Sequence, residues 1–224
     1  YDVNTGGTCN LLNVMVKHDV KNIIYSSTAA VYRTIDYELD EYDEVQYKTN
    51  AYAGSKLSAE YAIQQSGLNH IIFRYFNLAG ADPDGEMGED HDPETHLIPR
   101  IIQNLNTVEV YGHDYPTTDG TCVRDYVHVC DVAEAHLNAA KYLIEGNESI
   151  ILNLGTGKGY SVSKIITLIE KVAGREIDIK YLPRRPGDPP KLVANVNLAK
   201  KVLKYRPKHD IMSILQTAYD WHTK

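Results

Sequence analysis

The stretch Asn22-Ile23-Ile24-Tyr25-Ser26-Ser27 indicates the fold class of this 224-residue chain. It is a short apolar run that ends in small polar residues, as expected for a strand buried on both faces of a parallel sheet. The run from His70 to Tyr75 has the same character, and the segment 51–62 between the two runs has a helical pattern. Because strand and helix alternate, we predict an α/β fold with a parallel sheet and crossover helices.

The rest of the chain extends this alternation. Residues 10–20 carry the apolar spacing of an amphipathic helix. The acidic loop from Asp82 to Glu94, which is rich in Pro and Gly, marks where we expect the chain to leave the main sheet. Beyond that loop the patterns predict helices at 96–105, 131–145, 161–173, 197–204 and 210–222, and strands at 107–111, 150–154 and 177–181.

The glycine-rich loop from Gly155 to Gly159 follows a predicted strand and invites comparison with a dinucleotide-binding turn. Its spacing does not fit, because the pattern G-x-G-x-x-G needs glycine at position 160 and Tyr160 stands there. We therefore predict a tight connection, in which Ser161 caps the next helix.

Tyr52 and Lys56 carry the strongest chemical signal. In a helix, a spacing of four residues places both side chains on one face. A lysine ammonium beside a phenol favours the phenolate, and such a tyrosine can exchange a proton with a substrate hydroxyl near neutral pH. The spacing alone also fits a surface helix with a packed tyrosine and a solvated lysine, because Tyr-x-x-x-Lys arises often by chance.

Thr28 stands at the end of the first strand, and its position suggests a role in binding. Ligands of open parallel sheets bind outside the carboxyl ends of the strands. Thr28 there could hydrogen-bond a substrate hydroxyl together with Tyr52. The alternative is that Thr28 only caps the turn that follows the strand.

Thr28, Tyr52 and Lys56 together resemble the Ser/Thr–Tyr–Lys triad of the extended short-chain dehydrogenases/reductases. Within that family the chain most closely resembles the UDP-glucose 4-epimerase family. The matching segments follow the family's order along nearly the whole chain: Asn4 with Gly7-Thr8, Ser26 to Ala29, Tyr52 to Lys56, Arg74 to Ala81, Gly85 to Asp90, Thr95 to Pro99, Gly112 to Thr117, Asp119 to Val129 and Arg184 to Asp188.

The resemblance implies a domain organisation. Residues 1–80 would form the carboxy-terminal half of an NAD-binding domain with a Rossmann-like parallel sheet. Residues 81–224 would mainly form a smaller carboxy-terminal α/β domain that binds the UDP-sugar, with about 125–156 returning to the first domain. The family's glycine-rich turn does not occur in these residues, and the chain begins at Tyr1. We therefore expect an amino-terminally truncated chain, with the first strands missing, which binds NAD poorly, folds marginally and is inactive by itself.

The resemblance also implies a reaction, UDP-hexose 4-epimerisation in galactose metabolism. NAD takes a hydride from C4 of the hexose while Tyr52 removes the O4 proton, and the hydride then returns to the opposite face. Lys56 would also hydrogen-bond the nicotinamide ribose. Thr28, Tyr52 and Lys56 are thus the expected catalytic residues.

Binding residues follow from the same resemblance. The expected cofactor contacts are Asn4, Ser26, Tyr52, Lys56 and Tyr75. The expected substrate contacts are Thr28, Asn77, His96, Leu97, Arg124, Arg185, Asp188 and Leu192. Arginine suits a diphosphate because its planar guanidinium meets phosphate oxygens bidentately. Packing roles for Asn4 and Tyr75, and a solvated surface for the two arginines, are the alternatives. Leu192 lies where the family places a residue that limits the room for an N-acetyl group on the sugar. A leucine there does not decide between UDP-galactose and UDP-N-acetylgalactosamine.

Other functions fit these residues less well. A nucleotide-sugar 4,6-dehydratase needs an acid and a base next to the catalytic threonine, and Ala29-Ala30 stand there instead. A decarboxylating relative would need an extra cation beside Thr28 or Tyr52 to bind the substrate carboxylate. An inactive domain that only binds nucleotide sugar remains the non-enzymatic alternative. Arg33 replaces the family's usual glycine, which suggests a differently shaped loop over the substrate.

The composition of the chain limits the classes of partner that it can bind and the cellular compartment in which we expect it. A net charge of −7 argues against a nucleic-acid-binding surface. No apolar run is long enough to span a bilayer, and we expect no signal peptide. Three cysteines without metal-ligand spacing fit a reducing cytoplasm. The histidines lack helical spacing with carboxylates, so we predict no metal site. The family resemblance suggests a homodimer.

Overall fold

The computed structural model describes residues 1–33, 37–46 and 50–224. Its helices are α1 (Gly7–Lys17), α2 (Ala51–Gln65), α3 (Leu97–Gln103), α4 (Val129–Ile144), α5 (Val162–Ala173), α6 (Asn197–Leu203) and α7 (Ile211–His222). Its strands are β1 (Asn22–Thr28), β2 (Asn69–Tyr75), β3 (Asn77–Ala79), β4 (Thr107–Tyr111), β5 (Val123–His128), β6 (Ile150–Leu154), β7 (Gly159–Ser161), β8 (Asp178–Leu182) and β9 (Lys191–Leu192). A π-helical turn, Asp2–Gly6, precedes α1, and a 3-10 turn, Ala29–Val31, follows β1.

Strands β1, β2 and β6 form a parallel sheet with β2 in the middle. Thr28 pairs with Tyr75, and Tyr75 pairs with Leu154, so the carboxyl ends of the three strands lie side by side. This arrangement confirms the predicted α/β fold with a Rossmann-like parallel sheet. It also creates the edge at which such sheets bind ligands.

Helices cover both faces of this sheet. On one face, Leu12 and Met15 of α1 and Ile63 of α2 pack against Ile23 and Ile72. The other face buries Ile71, Phe73 and Leu152 in a second cluster with side chains of α4 and α6, including Ala139, Leu143, Ala199 and Leu203. The alternating sides of Ile71, Ile72 and Phe73 explain why the strand had to be apolar throughout.

A separate core lies in the carboxy-terminal part of the chain. Ile101 of α3, Ile166 of α5 and Leu215 of α7 are almost fully buried in one cluster. Strands β4 and β8 form a parallel pair beside it, and β5 joins β3, β7 and β9. The described residues therefore form three apolar clusters, one on each face of the sheet β1-β2-β6 and one around these helices.

A buried ion pair ties α2 to the sheet. Arg74 on β2 donates to both carboxylate oxygens of Glu60 on α2, from Nη2 at 2.7 Å and from Nε at 3.2 Å. Both side chains are almost inaccessible to solvent, at 4% and 0%. The Ser27 hydroxyl on β1 makes a further short hydrogen bond to Glu60. The carboxylate is thus fully paired, as a buried charge must be.

Polar side chains fix the helix ends. The Asn50 side chain accepts from the backbone N–H of Ala53 at 2.8 Å and so begins α2. Ser161 caps α5, as its sequence position predicted. At α4 the cap is His128, whose Nδ1 accepts from the backbone N–H of Cys130 at 3.1 Å. These caps satisfy N–H groups that the helix itself cannot pair.

The predicted elements after the acidic loop are all present, with ends displaced by at most two residues. Strands β3, β5, β7 and β9 were not predicted. Strand β5 is the instructive case, because it buries charge: Asp125 is 0% exposed. Its carboxylate accepts from Thr156 and from the backbone N–H groups of Gly157 and Ala194. These partners come from distant segments, so the local pattern carries no strand signal.

The buried pair generates a stability prediction. Replacing Glu60→Gln leaves the Arg74 charge buried without its counter-charge, so we expect the free energy of unfolding to fall by about 3–5 kcal/mol. Urea denaturation monitored by circular dichroism measures this change. The matched control is Glu44→Gln, since Glu44 pairs with Arg33 at a similar distance, 2.8 Å, but on the surface. That change should cost less than about 1 kcal/mol, and equal losses would contradict our account.

His128 generates a pH prediction. Burial, together with the His209 ring stacked 4.0 Å away, lowers the pKa of His128 from 6.5 to about 4. Unfolding restores the ordinary pKa of His128. Between about pH 6.5 and pH 4, His128 is therefore protonated in the unfolded chain but neutral in the folded chain. Stability from this group is complete above about pH 6.5 and is lost as the pH falls towards 4.

The test compares the native protein with His128→Asn, which keeps a capping acceptor but does not titrate. Between about pH 7 and pH 5 the native protein should lose about 2 kcal/mol more unfolding free energy than the variant. Replacing the exposed His113→Asn is the control and should leave the native pH dependence in place. Parallel pH profiles for the native protein and His128→Asn would refute the assignment.

Candidate active site

A cleft of about 770 Å³ opens at the carboxyl ends of β1 and β2. Seven of the residues predicted from the sequence line it: Thr28, Tyr52, Tyr75, Asn77, His96, Arg124 and Leu192. Lys56, Ser26 and Asn4 lie outside the lining, as do Leu97, Arg185 and Asp188. The fold therefore brings together residues separated by more than 160 positions, and it does so where parallel sheets bind ligands.

Thr28 both caps and faces the cleft. Its Oγ1 accepts from the backbone N–H of Ala30 at 3.2 Å, which starts the 3-10 turn. The cap uses the oxygen as an acceptor and leaves the hydroxyl proton to be donated to a ligand. The two roles weighed for Thr28 are thus compatible.

Tyr52 and Lys56 lie next to each other at the start of α2. The cap at Asn50 places Tyr52 in the first turn of the helix, where 52% of its surface is exposed. The Nζ of Lys56 lies 5.9 Å from the centre of the Tyr52 ring. It also donates to the backbone carbonyl of Ser26 at 2.9 Å. Burial lowers the pKa of Lys56, so the site holds this ammonium partly away from water beside the phenol.

Tyr75 forms part of a polar chain on the other side of the strand ends. Its hydroxyl lies 2.8 Å from Ser26 Oγ and 2.8 Å from His136 Nε2. Burial raises the pKa of Tyr75 to about 12, so this hydroxyl stays protonated at neutral pH. The sequence analysis missed His136, which lies on α4, because a single histidine in an amphipathic helix has no distinguishing pattern.

The sheet edge offers donors suited to a dinucleotide. An ammonium has three N–H donors, and the Ser26 carbonyl takes one of those of Lys56. Together with the exposed hydroxyls of Ser26 and Tyr52, the remaining donors match ribose hydroxyls and a carboxamide. Asn4, in the π-helical turn before α1, contacts the same helix α2, since its side-chain amide donates to Ser55 Oγ at 2.9 Å. These residues fit the nicotinamide-ribose end of NAD.

Arg124 is held rigidly at the far end of the cleft. Its Nη1 donates to the backbone carbonyls of Val123 and Pro189, each at 2.9 Å, and its Nη2 lies 3.5 Å from an Asp188 carboxylate oxygen. Only 13% of the side chain is exposed. The structure thus brings Arg124 and Asp188 together. Arg185 is exposed, and its guanidinium lies over the Tyr111 ring at 3.8 Å from the centroid.

The acidic loop supplies lining residues that the sequence analysis did not identify. Asp82, Met87, Glu89 and His91 border the cleft beside His96. Glu89, His91, Glu94 and His96 also converge, although their spacing gave no metal prediction. An irregular loop has no periodicity, so only its fold could reveal this convergence.

Comparison with known proteins places these features in context. The profile of the NAD dependent epimerase/dehydratase family matches residues 1–155. The UDP-glucose 4-epimerase of Lacticaseibacillus casei is 45% identical over 99% of this chain and 70% of its own length. That of Rhizobium meliloti (strain 1021) is 43% identical over 100% of this chain and 71% of its own. The chain thus spans about 70% of the length of these curated relatives.

Solved structures agree with the sequence relatives. The UDP-glucose 4-epimerase from Brucella ovis in complex with NAD superposes with a TM-score of 0.93 at 41% identity, over 98% of this chain and 70% of that one. The enzyme from Bifidobacterium longum in complex with NAD+ and UDP superposes with a TM-score of 0.91 at 37% identity, over 100% of this chain and 70% of that one.

Among the described residues, no helix has the length and apolar character needed to cross a membrane.

Proposed function

Because the chain belongs to the NAD dependent epimerase/dehydratase family, and within it to the UDP-glucose 4-epimerases, we propose that it interconverts UDP-glucose and UDP-galactose. The observation that carries this proposal is the placement of Thr28 and Tyr52 on one cleft with Lys56 beside the phenol. NAD is the cofactor. When bound, it would supply the hydride chemistry, taking a hydride from C4 of the hexose and giving it back to the opposite face.

Tyr52 performs the proton transfer. As the phenolate, its exposed side chain takes the proton of the C4 hydroxyl as the C4–H bond breaks, and the resulting phenol returns the proton when the hydride comes back. Lys56 supports the phenolate electrostatically and donates its remaining N–H groups to the ribose of the cofactor. Thr28 donates its hydroxyl proton to the reacting oxygen and fixes the orientation of the sugar. Both faces of C4 must be presented in turn, so the hexose has to rotate between the two transfers.

The nucleotide end anchors the substrate during this rotation. We assign Arg124 to the diphosphate, because the guanidinium is already held in place and presents a planar set of donors. Arg185 and Asp188 contact the nucleotide from the adjoining loop, with Asp188 accepting from the ribose. Asn77, His96 and Leu97 border the uridine-diphosphate side, and Leu192 borders the sugar.

A dehydratase activity fits the cleft less well. Ala29 and Ala30 line the wall next to Thr28, where elimination would require an acid and a base. An epimerase needs neither, since one tyrosine handles the only proton that moves. The lining therefore favours epimerisation over elimination.

Assembly and location are also part of the proposal. We infer a homodimer, supported by the exposed apolar side chains of α1, Leu11 at 51% and Val14 at 54%. We infer a cytoplasmic location, supported by three free cysteines, Cys9, Cys122 and Cys130, which suit a reducing compartment.

Removing one oxygen tests the catalytic assignment. In the protein as the cell produces it, Tyr52→Phe should lower the rate of C4 epimerisation by about 10²–10⁴-fold, because proton transfer loses its acid–base group. Proton NMR measures the conversion through the anomeric proton signals of UDP-galactose and UDP-glucose. NAD content and UDP affinity should stay unchanged. Tyr61→Phe on the same helix is the control and should keep full activity, whereas an active Tyr52→Phe enzyme would disprove the role.

Arg124→Lys tests the diphosphate assignment. Lysine keeps the positive charge but loses the planar guanidinium that donates two parallel hydrogen bonds to the diphosphate. Each hydrogen bond to a charged group contributes about 1.5–3 kcal/mol. We expect at least a tenfold higher KM for UDP-galactose with a smaller change in kcat, because the contact acts on substrate and transition state alike. Arg175→Lys, at the end of α5, should change neither constant. An unchanged KM in folded Arg124→Lys protein would remove Arg124 from the site.

A further inference from the structure

Four potential metal ligands converge at the end of the acidic loop and just after it. Glu89, His91, Glu94 and His96 each present one ligand atom, and these four atoms all lie within 4.8 Å of one another. We call this group the Glu–His cluster. Two imidazoles and two carboxylates are a common ligand set for zinc.

The distances between these atoms lie at or below those of a tetrahedral site. Both imidazoles point Nδ1 inward. His96 Nδ1 lies 2.6 Å from Glu89 Oε1 and 3.1 Å from Glu94 Oε1. His91 Nδ1 lies 3.0 Å from Glu89 Oε1 and 3.6 Å from Glu94 Oε2. Ligands bound at about 2.0–2.2 Å to a tetrahedral ion are separated by about 3.3–3.6 Å. Small side-chain adjustments would therefore bring the four atoms to coordination distance.

Glu94 gives independent evidence for a missing ligand. Its side chain is only 4% exposed. One carboxylate oxygen, Oε1, accepts from the backbone N–H groups of Thr95 and His96. The other, Oε2, is buried and has no hydrogen-bond partner among the residues that the structure describes. Leaving a buried carboxylate oxygen without a hydrogen bond is costly, and the contact of Oε2 with His91 Nδ1, at 3.6 Å, is too long to be one.

The loop is preassembled around the cluster. The Trp221 indole N–H donates to the Glu89 carbonyl at 2.9 Å, which fastens the loop to α7. The Asp82 N–H donates to the Met87 carbonyl at 2.9 Å and closes its base. At the other end, His96 directly precedes α3. The ligands are therefore attached to the core at both ends, which reduces the cost of ordering them around an ion.

We propose that the Glu–His cluster binds one divalent transition-metal ion, with zinc as the best match. Its ligands would be Nδ1 of His91 and His96 and one oxygen each from Glu89 and Glu94. The ion would link the loop to the start of α3 and hold Met87, Glu89 and His91 against the cleft that they line. It would also neutralise two carboxylates near a cleft that takes an anionic ligand. The role is structural and adds no step to the reaction.

Cobalt titration tests the site without reference to activity. The protein is stripped with a chelator, dialysed and titrated with Co²⁺, whose visible absorption is intense in tetrahedral sites. We expect saturation at one equivalent per chain and displacement by Zn²⁺. His91→Ala and Glu94→Gln should each weaken binding at least tenfold. The controls are His113→Ala and Asp90→Asn, which leave the cluster intact and should titrate like the native protein.

A thermal measurement completes the test. Zinc should raise the melting temperature of the native protein and of both controls, but not that of His91→Ala or Glu94→Gln. The proposal is overturned if folded native protein shows no saturable Co²⁺ or Zn²⁺ binding. It is equally overturned if both cluster variants bind as tightly as the controls, because the ion would then lie elsewhere. Neither outcome bears on epimerisation, which is measured separately.

Discussion

The buried pair of Glu60 and Arg74 determines where the reacting groups stand. Glu60 lies one helical turn after Lys56 and two turns after Tyr52, so fixing its carboxylate fixes the part of α2 that carries them. Ser27 bonds to Glu60 while the neighbouring carbonyl of Ser26 accepts from Lys56. Two consecutive residues of β1 thus hold two consecutive turns of α2. A shift of β1 or α2 along the other would leave a charge unpaired in the core. The free-energy cost of that unpaired charge favours the observed alignment.

The same network extends to the third strand. The Arg74 guanidinium lies 4.8 Å from the Tyr32 ring centroid, and the Tyr32 hydroxyl donates to Asn153 on β6 at 2.7 Å. Asn153 in turn donates to the Leu39 carbonyl at 2.9 Å. Every strand of the parallel sheet therefore contributes a polar side chain to one buried system. Fully satisfied networks of this kind specify a single arrangement where apolar packing alone would allow several.

Local patterns predicted those parts of the molecule whose stability is local or fully apolar. β1, β2 and β6 pack apolar side chains on both faces of the sheet and were predicted from their apolar runs, and helix α2 was recognised around Tyr52 and Lys56. Strand β5 escaped notice, because the partners that neutralise Asp125 come from residues near 156 and 194. The site divides in the same way. The triad was identified from its resemblance to that of the extended short-chain dehydrogenases/reductases, whereas His136 and the Glu–His cluster depend on contacts that only the folded chain creates.

Strand order has a consequence for how the chain folds during synthesis. β2 lies in the centre of its sheet, yet one of its two neighbours, β6, begins at Ile150, 75 positions after β2 ends at Tyr75. Until the ribosome has released those residues, one edge of β2 has no partner and its apolar face has no cover from α4. Such open edges recruit strands from other chains. The emergence of a single five-residue strand, β6, thus closes this edge of β2.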